Sequence, residues 1–133
     1  VVVGFGKAIR LIQDGKVVVI YPEGTRTPDG RLRRGKPGVG VIVAETGCAV
    51  IPAYIAGTRE VLPMGARWIS RHPIRVTFGT PIDFTEAVQR LSGKDLYQHV
   101  SRTVMDRIAD VGQVAPPADP VERRSAALSR KAE

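Results

Sequence analysis

Glu23-Gly24-Thr25-Arg26 follows an apolar run and Pro22, and Arg31, Arg33, Arg34 and Lys36 come within the next ten residues. A guanidinium grips a phosphate through two parallel hydrogen bonds, and a nearby ammonium adds a point charge. In α/β proteins ligands bind beyond the carboxyl ends of strands. A helix start contributes free amides at the positive end of its dipole. With Lys36 placed at an expected helix start, these parts suit a phosphomonoester better than a base or a neutral ligand. On these residues alone a second reading stays open: a solvated basic hairpin in which Glu23 pairs with Arg26.

Other chemistries fit less well. Gly30-Arg-Leu-Arg-Arg-Gly35-Lys36 has the G-x-x-x-x-G-K spacing of a nucleotide phosphate loop. Pro37 stands where Ser or Thr should follow, offering neither a hydroxyl for Mg²⁺ nor an amide for the phosphate. Gly4-Phe-Gly-Lys-Ala-Ile9 fails the dinucleotide fingerprint because Ile9 occupies the third glycine position. No serine lies in a G-x-S-x-G elbow. His72 precedes Pro73 in a basic loop, and His99 follows Asp95 by one helical turn, which reads as an exposed surface pair. No His, Cys, Asp or Glu cluster has metal-ligand spacing, so no metal is expected.

The elements that must position the basic stretch read as follows. Residues 4–14 carry Phe5, Ala8, Ile9 and Ile12 at helical spacing, with Gly15 suited to the exit. Lys16–Tyr21 (KVVVIY) is a continuous β-branched run, the signature of a parallel strand covered on both faces. Residues 37–46 read two ways: VGVIV has strand propensity and two glycines weaken a helix, while Pro37 in a first turn and Gly47 beyond the end favour the helix expected here. Ala49–Ile55 and Ile74–Phe78 read as further strands, so a right-handed βαβ crossover is expected. Ser92-Gly-Lys-Asp95 resembles a capping box, and the helix after it aligns Leu96, Val100, Val104, Ile108 and Val111 on one face. The reading is an α/β domain over residues 1–112, mostly parallel sheet, ending in an amphipathic helix. A disordered basic tail is expected over 113–133.

The 133 residues, 43% hydrophobic, suffice for one core. Twenty Lys+Arg against thirteen Asp+Glu give a formal charge of +7, which favours an anionic partner such as a phosphorylated molecule or an anionic membrane surface. An aromatic content of 5% disfavours a stacking platform for single-stranded nucleic acid, and no nucleic-acid partner is expected. The single Cys48 fits a reducing compartment and a place in the core. No signal peptide is visible, and Glu45 and Pro52 argue against a spanning helix within 38–57. The chain opens on Val1 instead of Met, as a piece of a longer protein would.

Taken in order, these residues resemble the glycerophospholipid acyltransferases, typified by 1-acyl-glycerol-3-phosphate acyltransferase. Val17–Tyr21 followed by Pro22-Glu23-Gly24-Thr25-Arg26-Thr27 is similar to the family's third motif. Lys36-Pro37-Gly38, Val50-Ile51-Pro52-Ala53-Tyr54-Ile55, Gly57-Thr58 and Ile74–Ile82 resemble the parts that follow, so the similarity covers about 4–84. The resemblance implies a glycerol-phosphate acyltransferase-type fold, present in part. It also implies transfer of an acyl group from a thioester, acyl-CoA or acyl-carrier protein, to an acyl-glycerol-phosphate acceptor, with no other cofactor. In the family a His with an Asp five residues later is the general base, and Glu-Gly-Thr-Arg holds the acceptor phosphate. Carried over, substrate binding falls to Glu23, Gly24, Thr25 and Arg26, with Lys36 as an auxiliary cation and Pro52 shaping the adjoining strand. The base has no counterpart, because Thr77 and Val104 stand five residues after His72 and His99. The expectation is therefore the acceptor-binding part of an acyltransferase without its catalytic base, peripheral on the cytoplasmic side of the membrane and inactive alone. The alternative is a non-catalytic basic module for lysophospholipid, phosphate or anionic membrane.

Overall fold

The computed structural model describes residues 4–118. Its elements in chain order are α1 (Phe5–Gln13), α2 (Gly38–Thr46), β1 (Ala53–Ala56), α3 (Thr58–Val61), β2 (Arg75–Phe78), α4 (Thr85–Arg90) and α5 (Gly93–Gly112). α1 and α5 are the helices that periodicity indicates, and α2 is the one that Pro37 and Gly47 bracket. Gly15 leaves α1 at φ +74, and Gly47 ends α2 in the left-handed conformation, its amide donating to the Val43 carbonyl.

The core forms where α2 and α5 cross. Val39 and Val43 of α2 meet Leu96, Val100 and Val104 of α5, with Ile82 and Phe84 closing one end and Cys48 packed against the edge. Small residues set the approach of the helices. A Cβ on Gly40 would run into the Tyr97 backbone, and one on Gly38 into the Phe5 ring of α1. A helix apolar on nearly all sides, as α2 is, must be covered on several sides at once.

The sheet differs from the sequence-based expectation. Among the described residues β1 and β2 form a two-stranded antiparallel ladder, with Ala53 opposite Phe78 and Ile55 opposite Val76. An antiparallel bridge between Val50 and Ile82 extends the pairing. The expected parallel sheet with a βαβ crossover is not formed. It needs Lys16–Tyr21 paired beside β1, whereas that run joins no ladder and leaves Val17 95% and Val19 79% exposed. A continuous apolar run states that a strand wants covering, not which neighbour covers it. Two further corrections are local. Ser92 sits at the N-cap of α5, but its side chain makes no capping bond, and Asp95 and His99 are exposed with no ion pair between them. α3 and α4 are short helices that the sequence pattern does not announce.

Helix α5 ends at Gly112, with Gln113 in a left-handed cap and no regular structure over 113–118. The expected disorder of the tail concerns residues that lie, from 119 onward, outside the described part.

Candidate acceptor-phosphate site

Pro22–Lys36 is a long turn pinned at its base. The Lys36 amide donates to the Pro22 carbonyl at 2.7 Å, and the Gly24 amide to the Tyr21 carbonyl at 3.0 Å. Gly24 takes φ +68, a conformation in which glycine alone avoids a steric penalty. Two carboxylates shape the interior of the turn. Glu23 Oε2 accepts the Arg33 amide at 2.9 Å. Asp29 Oδ1 accepts both the Thr27 hydroxyl at 2.6 Å and the Arg31 amide at 3.1 Å. The Thr27 hydroxyl first, and the Arg31 amide second, hold the Asp29 carboxyl below its ordinary value.

This arrangement brings Lys36 back onto the motif. A Cβ built on Gly24 would lie 2.9 Å from Lys36 Nζ and 3.0 Å from its Cδ and Cε, so the lysine side chain rests directly over the glycine. Residues twelve apart in sequence thus form one cationic spot. The Lys36 backbone is anchored from below, where the buried Ser101 of α5 donates its hydroxyl to the Lys36 carbonyl at 3.1 Å. Gly35 makes that approach possible, because a Cβ there would meet Ser101 Oγ at 2.7 Å. Arg26 and Thr25 stand exposed at the turn, and among the described residues Arg26 has no side-chain hydrogen bond or ion pair. Among the described residues Glu23 and Arg26 form no ion pair, so the turn, though exposed, is not held by the pairing described from sequence.

Beside Lys36 a groove of about 400 Å³ runs between the turn and α5, with Arg34, Lys36 and Arg102 among its walls. The cationic spot and the cationic groove share one lysine. Over residues 4–56 the chain matches the family model described as Acyltransferase. It is 38% identical over 82 residues to a chloroplastic 1-acyl-sn-glycerol-3-phosphate acyltransferase of Arabidopsis thaliana. The structure resembles the crystal structure of the 1-acyl-sn-glycerophosphate acyltransferase of Thermotoga maritima with a TM-score of 0.64 at 25% identity. Over these residues the chain is similar to 1-acyl-sn-glycerol-3-phosphate acyltransferases.

The plant match covers 61% of this chain and 23% of the relative, and a Brassica napus enzyme of the same name, 39% identical over 77 residues, covers 57% and 22%. The structural match takes in 82% of this chain and 43% of the Thermotoga maritima chain. The chain therefore spans less than a quarter of those two curated relatives.

Against that relationship the expected site residues divide. Gly24 and Lys36 are in contact, Thr25 and Arg26 follow Gly24 in the chain, and Glu23 is occupied in fixing the turn. Pro52 stands apart. It is buried, its carbonyl accepts the Gly79 amide at 2.8 Å, and none of the described contacts joins it to Arg26 or Lys36. Sequence reasoning missed Ser101 and Gly35. The available signal was a serine on the apolar face of α5, one residue after Val100, where a hydroxyl must find a partner. Among the described residues no three His, Cys, Asp or Glu side chains are grouped to hold a metal.

Proposed function

We propose that this chain forms the acceptor-binding part of an acyltransferase of phospholipid synthesis, with 1-acyl-glycerol 3-phosphate or a related glycerophosphate as acceptor. The observation that carries the reading is the contact of Lys36 with Gly24 beside an uncommitted Arg26. Arg26 supplies the two-pronged grip on phosphate oxygens, Lys36 the point charge, and the Gly24–Thr25 backbone the floor. Glu23, itself anionic, works on the turn instead of the ligand. Pro52 shapes the entry to β1, apart from these residues.

In the reaction the acceptor hydroxyl attacks the carbonyl of an acyl thioester, carried by coenzyme A or a carrier protein, and an ester bond forms. The carbon–sulfur bond breaks, and the hydroxyl proton passes to a general base. Neither histidine of this chain has a carboxylate five residues on, so the contribution of these residues is to bind and orient the acceptor. We place the protein at an anionic membrane surface, as a peripheral component on the cytoplasmic side, because the proposed acceptor is a lipid and the chain carries a formal charge of +7. The same lack of a His-x-x-x-x-Asp pair favours a second reading, a non-catalytic binding module for the same phosphate group.

Calorimetric titration of the chain with glycerol 3-phosphate and with glycerol tests the proposal. The phosphate ester binds and glycerol does not; equal behaviour of the two ligands overturns it.

A further inference from the structure

Between Glu60 and Asp83 the chain contains no acidic residue, while Arg67, Arg71 and Arg75 fall in that interval. The segment opens as a closed loop. The Ser70 amide donates to the Val61 carbonyl at 2.8 Å, and the Ala66 amide to the Pro63 carbonyl at 3.0 Å. The Pro73 carbonyl presses so closely on Gly57 that a Cβ there would collide with it. A loop whose ends are tied this tightly has little freedom to fold its tip inward. Within the loop Trp68 is 86% and Ile69 77% exposed, and Met64 is exposed as well. Large apolar side chains held in water on a closed loop call for an occupant.

The spacing of charge selects which. Arg67 and Arg71 bracket Trp68 and Ile69, so burial against a protein would require carboxylates placed at both flanks. A second copy of this chain brings more positive charge to the same face, against a formal +7. An anionic bilayer supplies both needs together: phosphates at headgroup depth for the guanidiniums, and an acyl boundary just beneath for the indole and the isoleucine. We infer that the loop 62–74 is a membrane-docking element that inserts Trp68 and Ile69 into the interface of an anionic bilayer. Just before the loop, α3 reaches the basic turn, where Arg59 Nη1 donates to the Asp29 carbonyl at 3.2 Å. Docking of the loop therefore brings the basic turn, through α3, toward the surface that holds a lipid acceptor. This extension rests on the proposed lipid-phosphate role of that site, but its test does not.

Trp68 is the single tryptophan of the chain, so its fluorescence reports the loop alone. The probe is a vesicle of phosphatidylglycerol and phosphatidylcholine containing no lysophospholipid. Expected is a blue shift of Trp68 emission and quenching by lipids brominated along the acyl chain, with neither effect on pure phosphatidylcholine. Arg67→Ala combined with Arg71→Ala should weaken co-sedimentation about ten- to thirtyfold, at about 1 kcal/mol per cation. The double variant keeps both apolar side chains, and unchanged circular dichroism controls for folding. Vesicle binding without a Trp68 shift overturns the inference by placing the contact on another face. A blue shift that grows with protein concentration in the absence of vesicles overturns it in favour of self-association, and absence of binding overturns it outright. Glycerol 3-phosphate affinity, read on the same preparation without vesicles, stands or falls separately, so either proposal can fail alone.

Discussion

Gly24→Ala gives the sharpest perturbation of the site, because two independent effects of known size meet at one methyl group. The backbone there has φ +68, and an L-residue in the left-handed region costs about 1–2 kcal/mol. The methyl carbon would also stand 2.9 Å from Lys36 Nζ and 3.0 Å from Lys36 Cδ and Cε, closer than van der Waals contact. Lysine is flexible and exposed, so the side chain moves away at little cost to folding. The first effect is therefore read as a stability loss of about 1 kcal/mol, and the second as loss of the ammonium from the site. A charge-assisted hydrogen bond contributes about 1.5–3 kcal/mol where well formed. Solvent exposure lowers this to about 1–2 kcal/mol, or roughly five- to thirtyfold in affinity. Calorimetry with glycerol 3-phosphate, beside urea unfolding, separates the two. Gly24→Ala should weaken binding as much as Lys36→Met does, while Lys36→Met leaves stability unchanged. Wild-type affinity in Gly24→Ala would refute the placement of Lys36 in the site.

Gly40→Ala should be the more damaging substitution for the fold, since its methyl group meets the Tyr97 backbone and the two core helices must part; a loss of about 1–3 kcal/mol is expected in thermal unfolding. The Asp29 carboxyl, held below its ordinary value chiefly by Thr27, should titrate higher in Thr27→Val when followed by carboxyl NMR, and an unchanged titration would remove that bond from the account. Because the folded value is lowered, the staple persists above the ordinary aspartate range and is lost only as pH falls through the folded value. Ordering of the Thr27–Arg31 turn should accordingly be insensitive to pH around neutrality, as amide exchange rates would show.

Much of this arrangement was legible in residue order, for reasons that differ by element. The helices α1 and α5 are long enough for their apolar period to appear, whereas α2 was marked by Pro37 at its start and by Gly47 at an end that only a left-handed residue makes easily. Glu23–Arg26 stood out as a candidate phosphate site because a turn rich in cations follows an apolar run. The fixing of that turn was not. The Glu23 carboxylate bonds a backbone amide ten residues away, and main-chain donors carry no sequence label. Lys36 reaches Gly24 only because the turn closes through the Pro22 carbonyl, and Ser101 anchors it from a helix 65 residues downstream. Lys16–Tyr21 shows the opposite failure. Its composition demands cover, yet among the described residues it joins no ladder.

The central claim is that Arg26 and Lys36 act together on one phosphate, and a double-mutant cycle on glycerol 3-phosphate affinity tests it most directly. Arg26→Ala and Lys36→Met should each weaken binding about five- to thirtyfold, and the combined variant by less than the product, since both cations address the same anion. Affinities that stay at the wild-type value in both single variants, or that multiply as for independent sites, would contradict it.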